Sequence, residues 1–186
     1  MTRILFICHG NICRSTMAQF VFEDLARRAG REDEFVVDSA ATSREEIGNP
    51  PHHGTVNKLR EVGVPVGRHR ARQITRGEYG EWDHIVYMDE ENSWGLERIL
   101  HGDPDGKVSR LLDWTDSPHD VADPWYTGDF DATYKDVLAG CARRFCPNYR
   151  AGAGLARPSF FVCPQLVQPT GIADCRPLLS QGAGTL

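Results

Sequence analysis

The chain has 186 residues, 40% of them hydrophobic and 25% charged, with a net charge of −5. That length supports one full hydrophobic core and is short for two domains, and the composition argues against global disorder. The acidic balance leaves no basic surplus for a general nucleic-acid or anionic-membrane binder. No stretch approaches a membrane span, and the apolar run from Ile4 to Ile7 is too short for the hydrophobic region of a signal peptide. A cytoplasmic location is the resulting expectation. The local basic run Arg68, Arg70, Arg72 and Arg76 reads as a solvated face, with an anion-attracting rim beside a site as the sharper alternative. Six cysteines are present, with Cys8 and Cys13 early and Cys141, Cys146, Cys163 and Cys175 late. A disulfide scaffold spreads its bridges through the chain, so this distribution suggests a reducing compartment instead.

In chain order, Arg3 to Ile7 is a short apolar run that predicts a buried strand, ended by His9-Gly10-Asn11. Ser15 is the expected N-cap of a helix in which Met17, Phe20, Val21, Leu25 and Ala29 recur at helical spacing, with Gly30 as the stop. Phe35 to Val37 predicts a second strand, and His52 to Val62 a helix closed by Gly63. His84 to Met88 is a third strand, Asn92 to Leu100 a helix, Val108 to Leu112 a fourth strand and Phe130 to Phe145 a last helix. Strands alternating with helices predict an α/β fold, a parallel sheet of about four strands with helices on both faces. Ligands in such folds sit beyond the carboxyl ends of the strands, and the first such end is the loop at Cys8. Beyond about Cys146 the periodicity stops. Residues 147–186 are rich in Gly and Pro and predict a poorly ordered tail after a domain at 1–146.

The segment Cys8-His9-Gly10-Asn11-Ile12-Cys13-Arg14-Ser15 carries the chemistry. Between a strand and a helix, the backbone N–H groups from His9 to Arg14 converge with the helix N-terminus on one point, a cradle for a tetrahedral oxyanion. Cys8 would lie beneath that anion, where the same donors stabilise a thiolate and make it nucleophilic. Arg14 can grip two anion oxygens in parallel. Ser15 can donate to the sulfur, Gly10 admits close backbone approach, and Asn11 tolerates left-handed geometry. A phosphate ester also needs a proton for its leaving group. In Asp123-Pro124-Trp125-Tyr126, Pro124 stiffens the turn, and the aromatic pair can border a cleft and shield a carboxyl group from water. Asp113, Asp116, Asp120 and Asp129 compete for that role, because loop aspartates are commonly turn formers.

The chain resembles the low-molecular-weight protein tyrosine phosphatases from residue 3 to about 146. The matching stretches are Cys8–Ser15, Asp38-Ser39-Ala40-Ala41-Thr42-Ser43, Ile47-Gly48-Asn49-Pro50-Pro51, Ala71-Arg72-Gln73-Ile74-Thr75, Met88-Asp89-Glu90 and Asp123-Pro124-Trp125. The resemblance implies a flavodoxin-like doubly wound sheet, no metal or other cofactor, a phosphocysteine mechanism and tyrosine-phosphorylated protein substrates. By matching position it implies Cys8 as nucleophile, Arg14 as phosphate clamp, Ser15 as thiolate partner and Asp123 as general acid and then base. Asn11 and His69 match positions that support the loop. Cys13 resembles a second loop cysteine that could close a reversible disulfide with Cys8.

Three positions depart from the pattern. Thr16 stands where Pro is usual, and Gln19 where a Glu pairs with the histidine matched by His69. Glu45 takes the place of an aromatic residue lining the cleft, which should disfavour acidic phosphopeptides; Trp125 and Tyr126 remain to hold an aryl ring. Arginine phosphatases also resemble the chain but tend to carry Thr where Ile12 stands, so Ile12 favours aryl esters. Arsenate reductases relay oxidation through additional cysteines, which this chain lacks between Cys13 and Cys141. A catalytically weak phosphotyrosine-binding module is the reading from another class. The pair His52-His53 reads as surface residues, since neighbouring side chains rarely converge on one metal.

Overall fold

The computed structural model describes residues 1–145; the tail expected at 147–186 lies outside the described residues. The elements are β1 (Thr2–Cys8), α1 (Arg14–Arg28), β2 (Phe35–Ala41), α2 (His53–Glu61), β3 (His84–Tyr87), α3 (Glu90–Leu100), β4 (Val108–Arg110), α4 (Pro124–Thr127) and α5 (Phe130–Phe145). All strand pairs are parallel, in the order β2-β1-β3-β4.

β1 is an internal strand, flanked by β2 and β3, and both of its faces are apolar. Ile4 and Phe6 enter a core with Met17, Phe20 and Val21 of α1, Leu59 of α2 and Val137 of α5. Leu5 and Ile7, pointing the other way, pack with Ile85 of β3 and with Leu96 and Leu100 of α3. Each such side chain, fully buried, contributes roughly 1.5–3 kcal/mol. The sheet is therefore covered on both sides, as the alternation of elements requires.

The strand order places β1 between β2 and β3, so the chain reverses its direction of travel across the sheet at β1. The crevice beyond the carboxyl ends of β1 and β3 is the switch point of a doubly wound sheet. Cys8 ends β1, and Asp89 follows β3 by two residues. Gly95 lets α3 close on the segment after β2: a Cβ there would lie 2.7 Å from the Thr42 side chain.

Several boundaries differ from expectation. β2 runs on to Ala41, because Ser39, fully buried, has its hydroxyl satisfied from the neighbouring loop and can enter the sheet. β4 stops at Arg110, after which Leu111–Trp114 tightens into a 3₁₀ turn capped by Asp113. The first helix begins at Arg14 with Cys13 as N-cap, so Ser15 lies inside the helix and its hydroxyl is turned to the loop rather than to a cap. α3 begins earlier than Asn92, capped by Asp89. Arg72 of the basic run is locked onto Asp38 and Glu78, while Arg68, Arg70 and Arg76 are exposed.

Candidate active site

The loop from Cys8 to Arg14 is shaped by what its carbonyls accept. Thr42 N donates to the Cys8 carbonyl at 2.9 Å and Ser43 N to that of His9 at 3.0 Å. His69 Nε2–H donates to the Asn11 carbonyl at 3.0 Å, and His52 N to that of Ile12 at 2.8 Å. With these carbonyls committed outward, the loop's N–H groups turn toward its interior. One of them, Asn11 N, reaches Cys8 Sγ at 3.2 Å.

Asn11 is the keystone. It is fully buried and left-handed (φ 57°), a conformation that Asn adopts at less cost than most side chains. Its Nδ2 donates to Ser15 Oγ and to Ser39 Oγ, both at 2.9 Å, and its Oδ1 accepts from Arg72 N at 3.1 Å. Because Ser15 Oγ accepts from Asn11, its own hydrogen is free to point at Cys8 Sγ, 3.1 Å away.

Arg14 is 3% exposed. Its Nη1 donates to Asp89 Oδ2, and its Nη2 to Asp123 Oδ2 at 2.5 Å. Burial opposes the guanidinium charge, but Cys8, Asp89 and Asp123 outweigh it and raise its pKa. Asp123 caps α4 through Trp125 N, which leaves Trp125 and Tyr126 exposed at the rim. His9 Nε2 meets Glu45 Oε2 at 3.1 Å, and both side chains are exposed. Cys13 is buried, and its thiol is pushed up to about 12 by burial first and by Cys8 next. His69 is shifted down by burial, and its edge meets the Phe20 ring.

No cluster of His, Cys, Asp or Glu able to hold a metal occurs among the described residues, and no helix there is long and apolar enough to cross a membrane. The family model for low molecular weight phosphotyrosine protein phosphatases matches residues 3–147. The chain belongs to that family. By class its members are cysteine-dependent hydrolases.

Among relatives of this phosphatase, the low molecular weight protein-tyrosine-phosphatase YfkJ of Bacillus subtilis is 39% identical over 143 residues, 76% of this chain and 92% of that one. Its crystal structure superimposes with a TM-score of 0.76 at 38% identity, covering 79% of this chain and 94% of that one. The low molecular weight phosphotyrosine protein phosphatase of Rattus norvegicus is 37% identical over 143 residues, 74% of this chain and 90% of that one. A drosophila arginine phosphatase is also similar in structure, with a TM-score of 0.71 and 27% identity over 82% of this chain and 100% of that one.

Two expectations about this phosphatase change. Gln19 makes no hydrogen bond to His69 among the described residues: its Oε1 accepts from Ser39 Oγ at 2.7 Å and its Nε2 donates to Glu23 at 3.0 Å. Gln19 therefore reaches the loop through Ser39 and Asn11, and His69 reaches it directly. His52 is not a plain surface residue either. It caps α2 by accepting from Gly54 N at 3.1 Å, and its ring stacks on Phe130 at 5.4 Å. Asp89 and Ser39 are contributors to which the residue pattern gave no role, and Gln19 reaches the loop by a different partner from the one expected. Asp89 precedes the helix expected from Asn92, and its contact with Arg14 spans 75 residues.

Proposed function

We propose that this phosphatase hydrolyses phosphotyrosine and related aryl phosphate monoesters through a phosphocysteine intermediate. The observation that carries the reading is one loop in which Cys8 Sγ receives Asn11 N and Ser15 Oγ while Arg14 and Asp123 meet beside it. The N–H groups from His9 to Arg14 would hold the phosphoryl oxygens, with the Arg14 guanidinium binding two of them.

In the first step Cys8 sulfur attacks phosphorus, the bond to the aryl oxygen breaks, and Asp123 gives its proton to the departing phenolate. In the second, the Asp123 carboxylate takes a proton from water, the water oxygen attacks phosphorus, and the S–P bond breaks. Sulfur leaves as a thiolate stabilised by the Ser15 hydroxyl, and inorganic phosphate is released. Asn11 and His69 keep the loop in shape, and no metal enters either step. Trp125 and Tyr126 border the cleft for the aryl ring, with Glu45 on the opposite rim. Ile12 is packed against Ala71 and Phe130 and presents an apolar wall, which supports an aryl ester over phosphoarginine.

The same proposal includes a catalytic domain at 1–146, a cytoplasmic location, tyrosine-phosphorylated proteins as substrates and a reversible Cys8–Cys13 disulfide. The test is hydrolysis of p-nitrophenyl phosphate in chelator-treated buffer, with Cys8→Ser alongside. Turnover that vanishes in Cys8→Ser is expected. Turnover retained by Cys8→Ser, or none in folded wild-type protein, would overturn the mechanism. Phosphotyrosyl and phosphoarginyl peptides compared on the same preparation decide the ester class.

A further inference from the structure

Beside the phosphate loop a groove of ≈ 620 Å³ opens along the start of α2. It shares Ile12 and Trp125 with the mouth of the site and continues over Pro50, Pro51 and Val56 as an apolar strip, with Glu46 and Arg60 as the charged groups of its lining. The His52 ring in that lining is backed by a second ring, Phe130. Gly54 has no side chain, and a Cβ there would lie 2.2 Å from the Phe130 ring. Phe130 can therefore press against the first turn of α2 and stack on His52, with ring planes 6° apart. Trp125 meets the same His52 ring edge-on at 6.0 Å. His52 accepts through Nδ1 from Gly54 N, which requires that nitrogen to be unprotonated. Burial first and the neighbouring His53 next push its pKa down, and together they outweigh the opposing pull of Glu46. His52 is thus an uncharged ring held in a fixed place in the groove lining, beside Trp125.

We propose that this groove is a substrate subsite that takes an apolar side chain of the protein segment flanking the phosphotyrosine. The inference rests on the phosphotyrosine reading of the neighbouring loop and adds where the rest of the substrate lies. The occupant follows from continuity: Ile12 and Trp125 wall both concavities, so a chain whose phosphotyrosine enters the loop passes the groove within a few residues, each spanning about 3.3 Å. The apolar part of the lining, Ile12, Pro50, Pro51, Val56 and Trp125, rewards a buried aliphatic or aromatic group, whereas a charged or hydroxyl side chain set against it would give up its water for no hydrogen bond. The rings are held by Gly54, Phe130 and the α2 cap, so little ordering is needed on binding.

The test uses the full chain and phosphotyrosyl peptides in which each flanking position is varied between Leu, Phe, Ser and Lys. One position should show kcat/KM on the order of tenfold higher for Leu or Phe than for Ser or Lys. Val56→Glu and Asn57→Glu each place a carboxylate in the groove and should remove that preference. p-Nitrophenyl phosphate, too small to reach the groove, should be turned over as by wild type. Asn57 is exposed, so its variant keeps the test decisive if Val56→Glu fails to fold. A flat peptide profile with normal p-nitrophenyl phosphate turnover would overturn the subsite alone, as would a preference that survives in the folded variants. A concentration-dependent dimer lost in Asn57→Glu would assign the groove to a second copy and overturn the proposal. Loss of p-nitrophenyl phosphate turnover in wild type would instead remove the phosphatase reading, and the subsite with it.

Discussion

Asp89 divides its carboxylate between two tasks: Oδ1 accepts from Asn92 N at 2.8 Å to cap α3, and Oδ2 holds Arg14 from behind the phosphate loop. Arg14 is almost wholly buried, and a buried guanidinium that loses one carboxylate is left with uncompensated charge. Asp89→Asn keeps a good N-cap but sets an amide or an uncharged oxygen against Nη1. It should lower kcat by about 10–100-fold with little change in KM, as expected when a group acts by positioning a transition-state donor. Asp89→Ala loses the cap too and should be less stable than Asp89→Asn by about 1 kcal/mol. Steady-state kinetics beside thermal melts separate the two effects. Unchanged kcat in both variants would show that Asp89 serves α3 alone.

That double task explains what the residue pattern could and could not reveal. The loop from Cys8 to Ser15 is legible because strand, loop and helix are contiguous, and local physics fixes their convergence. The parallel sheet follows from the alternation of short apolar runs with helical spacing. The contact of Arg14 with Asp89 is different: a guanidinium on the first helix and an aspartate after the third strand meet only because β1 and β3 are adjacent. Ser39 was hidden for a related reason. Polar residues near a strand end read as a loop until their hydrogen-bond partners are known. The His52–Phe130 stack depends on an absent side chain at Gly54, a signal that pairwise spacing does not carry.

Gln19→Glu, the change toward the family pattern, should destabilise this chain rather than improve it. Gln19 Nε2 donates to Glu23, whose pKa is already raised by burial. A carboxylate at 19 would remove that donor and set two acids side by side, where both cannot readily ionise. Raised carboxyl pKa values in the folded state make the penalty grow as pH rises above 4.5, the ordinary Glu value. The variant should lose about 1–3 kcal/mol near neutral pH and recover as pH falls toward that value. Denaturant titrations of both proteins across this range measure the difference, and a deficit that widens on acidification would refute the account.

His52, His69 and His84 all have pKa values pushed below 6.5, with burial as the first cause in each case. Folding then favours their neutral forms. Their contribution to stability is full above 6.5 and is lost as pH falls through the lower folded values, because the unfolded chain binds the protons first. For His69, whose Nε2–H supports the Asn11 carbonyl, an NMR titration of the imidazole should give a midpoint below 6.5. A midpoint at or above the ordinary value would contradict the burial argument.

Glu45 is exposed and meets His9 of the phosphate loop at 3.1 Å, and the proposed function sets it at the cleft with Trp125 and Tyr126. Glu45→Trp would replace a solvated carboxylate by a ring able to stack on the substrate, a gain of about 0.5–1.5 kcal/mol beyond burial. Efficiency on phosphotyrosine peptides should rise by severalfold, most for acidic sequences that the carboxylate repels. An unchanged or lower kcat/KM would count against placing Glu45 at the cleft.

Cys13 is buried beside Cys8, and its thiol is shifted up to about 12. As an undisturbed thiol it is therefore a poor nucleophile. Oxidation of Cys8 by peroxide changes that balance: the Cys8 thiolate attacks a peroxide oxygen and becomes a sulfenic acid, which removes the negative charge that helps to keep Cys13 protonated. Cys13 sulfur can then attack Cys8 sulfur, with its proton leaving in the water formed as the S–O bond breaks. The disulfide would hold Cys8 short of the sulfinic acid, which thiols do not reduce. Wild type treated with peroxide should regain nearly all its aryl phosphatase activity on incubation with dithiothreitol, whereas Cys13→Ser should regain only a minor part. Mass spectrometry should show a loss of two hydrogens in the wild type and added oxygens on Cys8 in the variant. Full recovery of Cys13→Ser would mean that Cys13 is a packed thiol with no protective part in the oxidation chemistry.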